Sequence, residues 1–278
     1  GLYQISRQAH YQKYQRELER AAQEEIILEL VRQLRRKHPR MGGRKLLYKL
    51  QPMLLGEGLK IGRDRLFDLL RRQDLLVQRK KTYRRTTIPG LFRAPNRLPG
   101  LEINRPNQVW VSDITYLELE MNRFAYLFVL MDLYSRYIVG WHVASSLAAE
   151  GALASLRGAL GQLKTDPAGL IHHSDHGVQY TSHAYMNTLL DHDIQASMGA
   201  VGNCYDNIFA ERLMGILKGE YYLDTLFVNY SQVTSIVDEV VDLYNTDRPH
   251  LSLNLAVPID VYHGHCDHVP PVVIPTLE

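Results

Sequence analysis

NQVWVSDITYL, residues 107–117, alternates with the two-residue period of a β-strand and carries one acid, Asp113, near its middle. Two later stretches also place an acid inside a short polar signature. LIHHSD, residues 170–175, is an apolar-to-polar run that ends on Asp175, and CYDNIFAERLMGILKGEYY, residues 204–222, has helical periodicity around Glu211. Thirty-five residues lie between Asp175 and Glu211. Carboxylates on three separate elements can converge only through the fold, and they then offer hard oxygen ligands suited to Mg²⁺ or Mn²⁺. Two such ions about 3.5–4 Å apart hold both the attacking and the leaving oxygen of a phosphodiester displacement. Asp113, Asp175 and Glu211 are therefore expected to be catalytic and metal-binding together, with two ions per site, in phosphoryl transfer on a nucleic acid.

Charge is divided along the chain. The 278 residues carry a net charge of only +2. Residues 1–105, however, hold 25 Lys and Arg against 10 Asp and Glu, a balance of +15, and residues 106–278 hold 7 against 20, a balance of −13. A basic half of this size is the electrostatic footprint of a DNA-backbone binder, and an acidic half with a carboxylate trio can approach DNA only with metal ions and a basic neighbour. Double-stranded DNA is the expected partner. Cys204 and Cys266 are the only cysteines, which excludes a disulfide framework and a paired CxxC zinc site and fits a reducing compartment. No apolar run reaches the length of a membrane span and no signal peptide opens the chain, so a cytoplasmic protein is expected.

The first hundred residues read as helices followed by a linker. Residues 18–37 place Ile26, Ile27, Leu30, Val31 and Leu34 on one stripe, Pro39 and Gly42-Gly43 break the pattern, and short helices follow at 44–50 and 63–70. Helix, break, short helix, turn and helix suits a helix-turn-helix, whose second helix enters the major groove. Arg44, Lys45, Arg63 and Arg65 are expected to face DNA, against the plainer reading of a helical bundle with solvated charges. Residues 78–105 contain three prolines and no sustained period, so Lys80, Lys81, Arg84 and Arg85 are expected to track phosphates from an extended linker. Beyond it the patterns predict strands at 108–117, 124–132 and 137–143, a helix at 148–163, a strand at 170–173, a helix at 181–192, a strand at 194–198 and helices at 206–221 and 231–244. The expected divisions are 1–77, 78–105, 106–222, 223–262 and a tail, 263–278, whose His263, His265, Cys266 and His268 offer transition-metal ligands but whose irregular spacing and Pro270-Pro271 favour an unstructured segment. Asp206 and Asn207 suit a helix N-cap, and Asp132 is expected to be structural, paired with Arg136 or the backbone.

WVSDITY, FVLMDLYSRYIVGW, HSDHGVQYTS, GNCYDNIFAERLMGILKGE and YNTDRPHLSLN, in that order, make residues 105–262 resemble the catalytic core of DDE transposases and retroviral-type integrases, most nearly the insertion-sequence-three family. The chain departs from the family pattern at Gly199, at Ile208 and at RMGGRK, residues 40–45. The resemblance implies an α/β, ribonuclease-H-like core, a mixed five-stranded sheet with helices, behind a small all-α helix-turn-helix domain. It implies a Mg²⁺-dependent transposase that binds terminal inverted repeats, frees a 3′-hydroxyl with water, and uses that hydroxyl to attack a second phosphodiester. It also implies a dimer or larger assembly on DNA in the nucleoid, and an upstream reading-frame product as partner. Lys218, two turns from Glu211 on one helix face, is either a ligand for a phosphate of the bound end or an ordinary surface lysine; Arg248 either contacts DNA or buttresses the catalytic helix. A ribonuclease-H-type nuclease would not need the basic N-terminal half, and a non-catalytic descendant would have lost a carboxylate.

Overall fold

Leucines that recur every three to four residues set the helices of the N-terminal stretch, and glycine and proline set its turns. A computed structural model describes residues 7–77, 93–199, 207–266 and 268–276, and the chain divides into two units, Gly1–Arg79 and Lys80–Glu278. In the first, α1 (Arg7–Lys37), α2 (Gly43–Gly56) and α3 (Arg63–Arg72) enclose one core. Ile27, Leu28 and Val31 meet Leu46, Leu50 and Leu54 from α2 and Leu66, Leu69 and Leu70 from α3. The expected stripe is off by one residue: Ile26 is 42% exposed and Leu28 is buried. At 3.6 residues per turn Leu28 lies roughly 60° around the helix from Val31, whereas Ile26 lies roughly 140° away. The first helix also starts earlier than its apolar stripe, because residues 7–17 contain no breaker and include the i,i+4 pair Lys13–Glu17 at 3.9 Å. Gly43 is required by close approach, since a Cβ there would stand 2.6 Å from the Phe67 ring.

In the second unit β1 (Glu102–Ile103) precedes the main sheet of β2 (Val109–Leu119), β3 (Arg123–Asp132), β4 (Ile138–Ala144), β5 (Ile171–Ser174) and β6 (Gln195–Met198). The strand order is β4-β3-β2-β5-β6. β3 is antiparallel to both neighbours, while β5 runs parallel to β2 and β6. The first long strand is thus central with the fourth beside it, which is the ribonuclease-H-like arrangement. Val109, Val111 and Leu117 enter the core shared with α6 (Ile208–Tyr221) and α7 (Tyr230–Thr246), whereas Trp110 and Ile114 enter the one beneath α4 (Ala149–Gln162) and α5 (His183–Asp191). Successive side chains of a strand alternate faces, so Asp113 falls on the α6 side.

Two expected boundaries move. Residues at the end of the expected linker belong to this unit: Leu98 and Ile103 are buried, and Arg97 donates its backbone N–H to Ser197 Oγ at 2.9 Å and its Nε to the Ala196 carbonyl at 3.2 Å. The expected tail is also ordered in part, because β7 (Val272–Val273) pairs antiparallel with β1. Each two-residue strand satisfies the other's backbone groups, which neither stretch shows by periodicity. Asp132 is fully buried and accepts hydrogen bonds from Ser135 N (2.7 Å), Ser135 Oγ (2.5 Å) and Asn107 N (2.7 Å), so it is held by Ser135 and the backbone, with the Arg136 charge adding to these. Burial pushes its pKa up to about 6 against these donors.

Gly140 of β4 lets α4 lie against the sheet, because a Cβ there would press on the Ser155 carbonyl and Ala159. Gly140→Ala is expected to lower stability by about 1–3 kcal/mol, the usual cost of overpacking; urea unfolding measures it, and an unchanged midpoint would refute this packing constraint.

Candidate active site

β2 and β5 pair in parallel with Val111 opposite His173. Two residues further along each chain stand Asp113 and Asp175, so continuing that register sets the two acids side by side at the end of the ladder. Asp113 Oδ1 accepts the Ile114 N–H at 2.8 Å and Asp175 Oδ1 accepts the Gly177 N–H at 3.0 Å. Glu211 lies in the first turn of α6, which packs on the Asp113 face of the sheet. The Asp113 pKa is pushed up to about 7: loss of hydration is the largest cause and the Asp175 charge the next, Glu211 adds to it, and the Ile114 N–H and the Lys218 charge oppose it. Burial raises Glu211 as well. The fold therefore gathers the predicted trio within electrostatic reach, and Lys218 acts on the same site.

Asn207 does not cap α6 with its side chain. Its Nδ2 instead donates to the Ser112 carbonyl at 3.3 Å, which ties the start of the helix to the strand that carries Asp113. Asp206 and Cys204 lie outside the described residues. His172 and His173 are buried and hydrogen-bonded within the core: His172 Nε2 meets the Tyr185 hydroxyl at 2.8 Å and His173 Nδ1 meets Ser197 Oγ at 2.8 Å. Burial, then the neighbouring His173, holds His172 down to about 3, so it is neutral at ordinary pH.

The donor set fits a hard divalent cation. It consists of carboxylate oxygens, the Asp175 and Glu211 charges add to the proton affinity of Asp113, and a cation relieves that repulsion. Around it, Asn207 Oδ1 and His176 Nδ1 are buried without hydrogen-bond partners, while Ser112 and the Tyr180 hydroxyl are close enough to bond each other; this is polar capacity suited to ordered water or ligand oxygens. Tyr180 sits near enough that, after burial, the Asp175 charge raises its pKa further and keeps the phenol protonated. Among the described residues no group of three His, Cys, Asp or Glu side chains is arranged to hold a metal ion, neither the trio as it stands nor His263, His265, Cys266 and His268.

Residues 103–204 and 192–258 match models of the integrase core domain. The 31 kDa protein of insertion element IS600 from Shigella sonnei is 35% identical over 213 residues, covering 74% of this chain and 76% of that protein. The transposase for insertion sequence element IS629 from Shigella sonnei is 34% identical over 202 residues, 72% of this chain and 67% of that protein. The chain belongs to the DDE transposases of the insertion-sequence-three family. Among solved structures it is similar to the HTLV-2 integrase catalytic core in complex with magnesium, at 17% identity and a TM-score of 0.44, covering 57% of this chain and 98% of that one. A simian T-cell lymphotropic virus intasome chain is similar at 18% identity and a TM-score of 0.48, over 86% and 75% of the two chains.

In this transposase several expected DNA contacts are placed differently. Arg248 is buried; it donates Nε and Nη2 to the two Glu220 oxygens at 2.9 and 3.0 Å and stands 2.7 Å from His250 Nε2. Glu220 belongs to α6, so Arg248 buttresses the helix that carries Glu211 and is not a DNA ligand. Lys45 is also buried, 6% exposed, because it lies on the core-facing turn of α2 next to Leu46. Arg44 and Arg63 are exposed, Arg63 beside Asp64 at 2.8 Å, while Arg65 turns toward Glu24 of α1 at 3.7 Å. Lys80, Lys81, Arg84 and Arg85 lie outside the described residues. No helix among the described residues is long and apolar enough to cross a membrane.

The raised Asp113 pKa has a sign that can be measured. A carboxyl held at about 7 in the fold, against about 3.9 unfolded, contributes stability that is complete below the unfolded value and lost as pH rises through about 7. Thermal melts are expected to show this loss in the wild-type chain relative to Asp113→Asn, and Mg²⁺ is expected to suppress it. An identical pH profile for the two chains, with and without Mg²⁺, would contradict the electrostatic coupling of the site.

Proposed function

We propose that this transposase binds the terminal inverted repeats of an insertion sequence and cleaves and joins DNA strands at a site formed by Asp113, Asp175 and Glu211. The observation that carries the reading is the parallel register that sets Asp113 beside Asp175, together with the Glu211 charge acting on Asp113. These three carboxylates would hold Mg²⁺ or Mn²⁺, two ions per site. When bound, such ions activate the attacking oxygen and stabilise the leaving one. The protein's own part is positional: Asp113 and Asp175 hold a rigid pair on a central strand and its parallel neighbour, Asn207 anchors the start of α6 to β2, and the Arg248–Glu220 pair braces the same helix further along. Lys218, on the site's side of α6, supplies a cation for a phosphate of the DNA end. Water would first free a 3′-hydroxyl, and that hydroxyl would then attack a second phosphodiester, without a covalent protein–DNA intermediate.

The N-terminal helices are assigned to end recognition and residues 78–92 to backbone tracking, with Arg44 and Arg63 as groove-facing candidates and Lys80, Lys81, Arg84 and Arg85 on phosphates. Joining two ends calls for a dimer or larger assembly on DNA. An upstream reading-frame product as partner, and association with the nucleoid, complete the reading.

Glu211→Gln is expected to lower strand transfer on pre-cleaved ends by about a hundredfold to a thousandfold, the range of removing one transition-state contact, while end binding stays nearly unchanged. Transfer at wild-type level in Mg²⁺ would remove Glu211 from the site. Deleting residues 1–77 is expected to weaken DNA binding and flatten its salt dependence, because released counterions scale with the phosphates contacted. Equal affinity and an unchanged salt slope would refute the assignment of that unit.

A further inference from the structure

Arg20, Arg65, Arg71, Arg72 and Asp68 line an open cleft of about 520 Å³ on the N-terminal unit, between α1 and α3. Glu24, whose side chain is 12% exposed, stands beside it. One Glu24 oxygen accepts Arg20 Nε at 3.3 Å and the other accepts Arg72 Nη2 at 2.9 Å. Arg65 Nη2 approaches the first oxygen only to 3.7 Å, too far for a hydrogen bond. Arg71 Nη1 is bonded to Asp68 Oδ1 at 2.5 Å. Four guanidiniums therefore share two carboxylates, a formal excess of +2. Burial raises the Glu24 carboxyl, but bonds and charge from Arg72 and Arg20 outweigh it and hold the group below its ordinary value, so it remains a full anion and is already taken up by two partners.

Arg65 is the cation left over. Its Nε and Nη2 are buried and have no hydrogen-bond partner. The side chain as a whole is 37% exposed and lines the cleft. Arg63 stands two positions earlier on α3, on a different face, and is exposed beside Asp64. The two arginines expected to act together are thus separated by the helix.

We infer that the cleft between α1 and α3 seats a phosphate of the DNA backbone among the guanidinium groups of Arg20, Arg65, Arg71 and Arg72. The inference rests on the reading of the N-terminal unit as DNA-binding and assigns Arg65 to a contact that positions the duplex without reading its sequence. Glu24 then has a second effect: it orders the arginines and competes with the phosphate for them.

The test is fluorescence anisotropy of the full chain on two duplexes, one bearing the terminal repeat and one scrambled, across a salt series. Arg65→Gln is expected to reduce the slope of log affinity against log salt by about 0.9, one phosphate contact, equally on both duplexes. Arg65→Lys, which keeps the charge, is expected to restore the slope but only part of the affinity. Arg71→Gln does not touch Glu24 and so leaves the α1–α3 bridge intact; it is expected to weaken both duplexes in the same way, and Glu24→Gln to tighten both. Unchanged slopes for Arg65→Gln and Arg71→Gln, in a chain that loses its slope when residues 1–77 are deleted, would overturn the cleft and leave the DNA-binding unit standing. If the deletion also changes nothing, both fall. Loss confined to the repeat duplex would make Arg65 a base reader and overturn the phosphate assignment, as would thermal stabilisation of the wild-type chain by inorganic phosphate with no change in any DNA slope.

Discussion

The parallel ladder between β2 and β5 is the constraint on which the catalytic unit depends. Its register, Val111 against His173, is pinned because a one-residue slip would exchange the faces of every side chain on a strand that is buried on both sides. Val111 would leave the α6–α7 core and Trp110 the α4–α5 core. The hydrophobic effect thus places two carboxylates side by side although their own repulsion opposes it, and the Asp113 pKa is raised first by burial and then by the Asp175 charge.

The helix carrying Glu211 is braced at both ends, by Asn207 against Ser112 at its start and by Glu220 against Arg248 near its end. Breaking a buried pair by removing one partner commonly costs several kcal/mol, because the remaining charge is left without compensation. Arg248 therefore contributes to the site from a distance by holding the helix that presents the third acid. The N-terminal unit uses arginine differently. There the cations that line the cleft are more numerous than the acids that order them.

Much of this was legible in advance because it depends on local periodicity. The alternation in 107–117, the helical pattern around Glu211 and the leucine spacing at 46, 50 and 54 each follow from one element burying one face. The reading failed where pairing is made with residues far away. Two-residue strands at Glu102–Ile103 and Val272–Val273 have no period to detect, so a linker end and a tail concealed a small sheet. Ile26 and Leu28 differ only in helical phase, and phase depends on which neighbours are present. Lys45 and Arg248 looked like exposed cations because sequence shows their charge and not their burial.

Sequence by itself determined the chemistry available: three acids in separate signatures, a division of charge between the halves of the chain, and the strands and helices that carry them. Tertiary structure decided which charges are spent inside the protein. Arg248 is consumed by Glu220 and Arg72 by Glu24, while Arg65 is left with an unsatisfied edge. The reason is physical: burial and hydrogen-bond geometry are set by contacts between elements far apart in the chain, and the strength of a charge depends on those contacts as much as on the residue that bears it.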